Sequence, residues 1–165
     1  MIETIVDEFT GTFSRVPFEI AATRLLAAVL LGAVIGFERE RREKPAGLRT
    51  NMLVSIAACL FVVVGIELSS ISFGDEGSQR QDPLRLIEAV TAGVAFLAAG
   101  LIFTSGGKVR NITTGATLWL AGAVGLACGA GQIPLAAMAT VIVIVILTVI
   151  RQLERLMGTH EDPYA

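Results

Sequence analysis

Five stretches of roughly twenty mostly apolar residues divide the chain: Phe18 to Phe37, Asn51 to Leu68, Pro83 to Phe103, Ile112 to Ala130 and Ile133 to Ile150. A bilayer core about 30 Å thick calls for one such block per helix, because hydrocarbon leaves no other way to satisfy backbone N–H and C=O groups. Five buried helices of a soluble protein would need a large polar shell around them. With 53% of 165 residues apolar and only 17% charged, the chain has none to build one. The expectation is an all-α polytopic membrane protein with five transmembrane helices spanning residues 18–150. They are preceded by an N-terminal segment, residues 1–17, and followed by a short tail, residues 151–165.

Helix ends follow from local chemistry. Asp82 before Pro83 reads as an N-cap followed by proline at the first helical position. Asn111 suits the start of the fourth helix, and Thr50 or Asn51 that of the second. Gly129, Gly131 and Pro134 predict a tight hairpin between helices four and five. The β-branched run from Val141 to Leu147 would favour a strand in water, but in lipid an open strand leaves its polar groups unpaired, so a lipid-facing helix is expected. No cleavable signal peptide is expected, because Glu3, Asp7 and Glu8 interrupt the start of the chain. Ile2, Ile5, Val6 and Phe9 suit either an interfacial helix or a disordered terminus.

The charges are unevenly placed. Arg39, Arg41, Arg42, Lys44, Arg49, Lys108, Arg110, Arg151 and Arg155 flank one side of the predicted spans, against Arg15, Arg80 and Arg85 on the other. The excess of basic loops places the N-terminus outside and the C-terminus in the cytoplasm. A net charge of −2 excludes the basic footprint of a nucleic-acid binder. Two cysteines and one histidine, in no Cys-x-x-Cys or His-x-x-x-His pair, exclude a zinc site or a disulfide framework. Gly106, Gly107 and Lys108 do not complete a phosphate loop, since Ile102 and Val109 stand where glycine and Ser or Thr are required. With His160 in the tail, no Ser/His/Asp constellation forms, and the chain reads as a non-enzyme.

Three ionisable residues fall within or near the spans, Arg24, Glu67 and Glu88, at heights of roughly 20, 25 and 24 Å above the basic side. Intramembrane charges are costly and usually pair or line a polar cavity. Either Arg24 pairs with one carboxylate while the other stays protonated or holds a cation, or each side chain snorkels separately to the interface. The carboxylates admit weak Mg²⁺ binding, but no metal site is assigned and no cofactor is expected. Small residues at four-residue spacing, Ala28/Gly32/Gly36, Ala89/Gly93, Ala95/Ala99 and Ala121/Gly125/Gly129, allow close helix packing within one bundle or in a homodimer. Cys59 and Cys128, at about 13 and 22 Å, are too far apart in height for a disulfide. The polar loop from Glu38 to Thr50 pairs Glu38 with Arg42 at i, i+4 and places Glu40 beside Lys44, a helical extension broken by Pro45 and Gly47. It is either a solvated topogenic loop or a docking surface for a protein or anionic lipid.

The runs LLGAVIGFERERREKPAGLRTNMLVSIAACLF from Leu30, VTAGVAFLAAGLIF from Val90 and VRNITTGATLWLAGAVGLACGAG from Val109 resemble the MgtC/SapB family of bacterial membrane proteins. The family pattern falls on Arg24, Gly36, Glu38, Arg39, Glu40, Ala46, Gly47, Leu48, Arg49, Thr50, Gly93, Gly100, Thr113, Thr114 and Trp119. In helix three, Ala89, Ala92, Ala95 and Ala98 stand where the family usually has Gln, Ser and two glycines. The resemblance implies a multi-pass protein of the bacterial inner membrane, in a short form without the cytoplasmic C-terminal domain of virulence-type members. It also implies a role in adaptation to magnesium limitation, with a membrane-protein partner such as the ATP synthase. The leading expectation is a contact-acting modulator of a membrane partner or stress response. The alternative is a Mg²⁺ or other cation transporter or channel using the intramembrane carboxylates.

Overall fold

The computed structural model describes residue 13, residues 15–69 and residues 83–157. Among the described residues there are five helices: α1 Phe18–Glu40, α2 Leu48–Leu68, α3 Pro83–Leu101, α4 Ile112–Gly129 and α5 Ile133–Leu156. All five are long and apolar enough to cross a membrane. The five expected blocks are these helices with shifted ends. α1 continues to Glu40, α3 stops at Leu101, and α5 runs on to Leu156 into the stretch read as tail. The N-terminal face Ile2 to Phe9, the Asp82 cap and His160 lie outside the described residues.

One element was not expected. Strands β1 Phe103–Ser105 and β2 Lys108–Arg110 pair antiparallel, Phe103 opposite Arg110 and Ser105 opposite Lys108. Gly106 and Gly107 both have positive φ, 60° and 76°, the backbone a two-residue hairpin turn of matching twist requires. The glycine pair that fails as a phosphate loop is therefore a hairpin turn.

The centre of the bundle is α1, α2 and α4, which meet at backbone contact. A Cβ on Gly36 would come within 2.7 Å of Leu48 Cα, and one on Gly125 would collide with the Ser55 carbonyl. Ser55 itself is fully buried and donates from Oγ to Ala28 O at 2.8 Å, tying α2 to α1. Hydrocarbon supplies no hydrophobic drive between helices, so van der Waals contact at small residues and interhelical hydrogen bonds hold them instead.

These contacts also set register. Ser55 meets Gly125 and Cys59 meets Gly129, so α2 and α4 run parallel with a constant offset. On that offset Ile112 starts about six residues, roughly 9 Å, nearer the basic end than Leu48. The expected height difference between Cys59 and Cys128 arose from assuming a common starting level for the two helices. Both are buried free cysteines of the same core cluster, and Gly129, next to Cys128, packs on the Cys59 carbonyl.

The outer helices attach by narrower stripes. α3 turns Val90, Val94 and Ala98 inward, with Gly122 of α4 against Val94. Ala89, Gly93, Ala95 and Ala99 face outward, and a Cβ on Gly93 would meet nothing within 4 Å, so these small residues serve no packing inside the bundle. On α5, Ala136 and Thr140 are the buried residues among those described, which is the lipid-facing helix expected. The α4–α5 connection closes as Gly131, at φ 79°, donates to Cys128 O and Gln132 N–H donates to Ala127 O. This left-handed glycine cap is the tight hairpin read from Gly129 to Pro134.

Candidate functional site

The end of the bundle carrying the α1–α2 turn and the β-hairpin gathers most of the family-type residues. Glu38 pairs with Arg42 one helical turn on, as their spacing predicts. Glu40 does not hold Lys44. Its Oε2 accepts the Leu48 N–H at 3.0 Å, satisfying a free donor in the first turn of α2. That contact requires Gly47, because a Cβ there would overlap the Glu40 carboxylate. The N-cap of α2 is Gly47, so the helix starts earlier than Thr50 or Asn51 suggested.

Asn51 lies inside α2, fully buried, with Nδ2 donating to Ala46 O at 2.6 Å and Gly47 O at 2.9 Å. Glu43 and Ala46 hold φ values of 52° and 56°, which side chains other than glycine adopt at a cost of about 1–2 kcal/mol each. The turn is thus fixed from both ends, by Glu40 and by Asn51. Arg41, Glu43, Arg49 and Thr50 are left exposed upon it.

Arg39 turns inward. It is 4% exposed, and its Nη2 donates to the hydroxyl of Thr114, the third residue of α4. Thr113 beside it is exposed, while Trp119 is half-exposed on the outward face of α4. Asn111 occupies the N-cap position of α4, as its place in sequence suggested, but its side chain makes no cap bond and donates to Leu101 O at 3.1 Å. Thr117 and Thr91 donate to carbonyls of their own helices, the common fate of membrane hydroxyls.

The three intramembrane charges are not brought together. Arg24 Nη1 donates to Gly129 O at 2.8 Å, where a cation also meets the negative pole of α4. Glu67 accepts the N–H groups of Arg15 and Val16, the latter at 2.7 Å, and so pins the chain just before α1. Glu88 is exposed on α3. Arg24 and Glu67 part because the α1/α2 register seen at Gly36 and Leu48 puts Glu67 level with Pro17, about seven residues or 10 Å beyond Arg24. No group of three or more His, Cys, Asp or Glu side chains suited to a metal occurs among the described residues.

Sequence reasoning missed the roles of Asn51 and Ser55. The available signal was a polar residue in phase with Gly32 and Gly36 across a short turn, which marks hydrogen bonding at a close helix crossing.

Comparison with known proteins agrees with this picture. A family model described as the MgtC family matches residues 25–156. The chain is similar to Protein MgtC of Brucella abortus, 44% identical over 156 residues, covering 90% of this chain and 62% of the relative. It is also similar to Protein MgtC of Salmonella typhimurium, 42% identical over 120 residues, covering 73% and 48%. The chain thus spans only about half to three-fifths of the length of these relatives. No solved structure matches. With its five membrane-spanning helices and a match that runs almost from end to end of them, the chain belongs to the MgtC family and is a multi-pass membrane protein.

Proposed function

We propose that the chain is a non-enzymatic protein of the bacterial inner membrane that acts by contact, modulating a membrane partner or stress response linked to Mg²⁺ limitation and membrane energetics. The carrying observation is the α1–α2 turn. Two of its residues are held in left-handed backbone, both of its ends are bonded, and Arg41, Glu43, Arg49 and Thr50 stand exposed on it. A merely solvated loop has no need of such restraint, whereas a binding surface gains affinity by being ordered beforehand. The dispersal of Arg24, Glu67 and Glu88 to separate backbone partners or exposure gives the transporter alternative no shared ion site to build on.

The test is affinity purification of the full chain from native membranes at low Mg²⁺, wild type against the double variant Arg41→Ala, Arg49→Ala. The expected result is a membrane protein that co-purifies with wild type and is lost from the variant. Protein-dependent Mg²⁺ flux in liposomes, read with a Mg²⁺-sensitive dye and abolished by Glu67→Gln or Glu88→Gln, overturns the contact reading.

A further inference from the structure

The placement of Arg39 is electrostatically unusual. A cation is favoured near a helix C-terminus and disfavoured near an N-terminus, where the free N–H groups carry positive partial charge. Arg24 obeys this rule at the far end of α4. Arg39 lies in the last turn of α1, next to Glu38, yet its guanidinium is buried against the positive first turn of α4 and bonded to the neutral Thr114 hydroxyl, and its Nε is buried without an acceptor. Among the described residues Arg39 makes no ion pair.

The α4 terminus is open as well. Asn111 spends its side chain on Leu101 O, and the first helical backbone bond runs from Gly115 N–H to Asn111 O. The N–H groups of Ile112, Thr113 and Thr114 therefore lack a partner within the helix, and Ile112 and Thr113 face outward. Between Ala89 and Leu153 the sequence has no Asp or Glu, and the described acids of α1 near this end are engaged. On α1, Glu38 holds Arg42 and Glu40 holds the Leu48 N–H.

We propose that the N-terminal turn of α4, with Arg39 behind it and the Thr113 hydroxyl beside it, binds a phosphoryl group. Consecutive backbone N–H groups at a helix start together with a forked guanidinium match a tetrahedral anion with several acceptor oxygens better than they match a single carboxylate. The ligand supplies acceptor oxygens to the Arg39 Nε and to the free N–H groups in the first turn of α4. It is either the phosphate of an anionic lipid headgroup or a soluble phosphate. The site stands independently of the contact role of the α1–α2 turn.

The experiment uses the full chain purified in dodecyl maltoside, as wild type, Arg39→Gln and Thr113→Glu. Thr113→Glu is the decisive variant, because a carboxylate in the first turn suits the α4 pole and keeps the helix while occupying the site. One arm compares melting midpoints in inorganic phosphate and in chloride at equal ionic strength. The other compares retention of phosphatidylglycerol and phosphatidylcholine by native mass spectrometry. Wild type is expected to be stabilised by phosphate if the source is soluble, or to retain phosphatidylglycerol preferentially if the source is lipid. Both variants are expected to lose that preference by roughly tenfold or more, the scale of one charge-assisted hydrogen bond. Wild type without a preference in either arm, or Thr113→Glu with the preference intact, overturns the proposal.

Discussion

Arg24 and Arg39 stand fifteen residues apart on α1 and bond opposite ends of α4, at Gly129 and Thr114, which are themselves fifteen residues apart. Two helices that run antiparallel at about 1.5 Å per residue keep such a register along their whole length, here roughly 22 Å. The pair therefore measures α4 against α1 as well as bonding it.

Arg24→Gln removes the bond to the end of α4 and the favourable charge at its negative pole. The expected result is a lower melting midpoint in detergent, with a loss of about 1.5–3 kcal/mol at most. Arg24→Lys is expected to recover part of it, because a cation remains at the pole while the fork does not. The check is thermal unfolding followed by circular dichroism.

Gly125→Ala and Gly93→Ala are a matched pair. The first drives a methyl group into the Ser55 backbone, which cannot swing aside, and is expected to cost about 1–3 kcal/mol or to abolish accumulation in the membrane. The second meets open space and is expected to leave the melting midpoint unchanged or slightly raised. Equal behaviour of the two variants would contradict the packing described for α2 and α4.

Glu40→Ala leaves the Leu48 N–H without its acceptor. The expected loss is about 0.5–2 kcal/mol, as for other helix caps. Limited proteolysis at Arg41 and Arg49 is expected to accelerate in the variant, since the turn is freed at one end.

Sidedness is tested by labelling. In spheroplasts a membrane-impermeant maleimide is expected to leave Arg49→Cys unlabelled, and in inverted vesicles to label it, if the excess of Lys and Arg at this end orients the chain as the positive-inside rule predicts. Cys59 and Cys128 are buried and supply little background.

The five helices are legible in the sequence because apolar length is a property each block carries alone. The Glu38–Arg42 pair, the α4–α5 turn and the small-residue faces of α1 and α4 are legible for the same local reason. What lies hidden depends on offsets between helices. The six-residue offset between α2 and α4 decides that Cys59 and Cys128 are neighbours, and the α1/α2 register decides that Glu67 misses Arg24. No composition or periodicity encodes these offsets. They emerge where Gly36 meets Leu48 and Gly125 meets Ser55. Heights counted from helix starts fail for that reason, and Glu67, Arg24 and Glu40 all find backbone partners where side-chain partners were the natural guess.

The division between a backbone-packed trio and two loosely attached helices sets where this chain can tolerate change. Substitutions at the inward small residues of α1, α2 and α4, such as Gly36 and Gly125, meet fixed backbone, so change in these helices is expected to be tolerated only at outward positions. α3 touches the trio through residues such as Val90, Val94 and Ala98, while Ala89, Ala92 and Ala95 face outward and take no part in those contacts. A helix free to vary on its lipid side is the surface on which relatives of one architecture can diverge in what they meet within the bilayer.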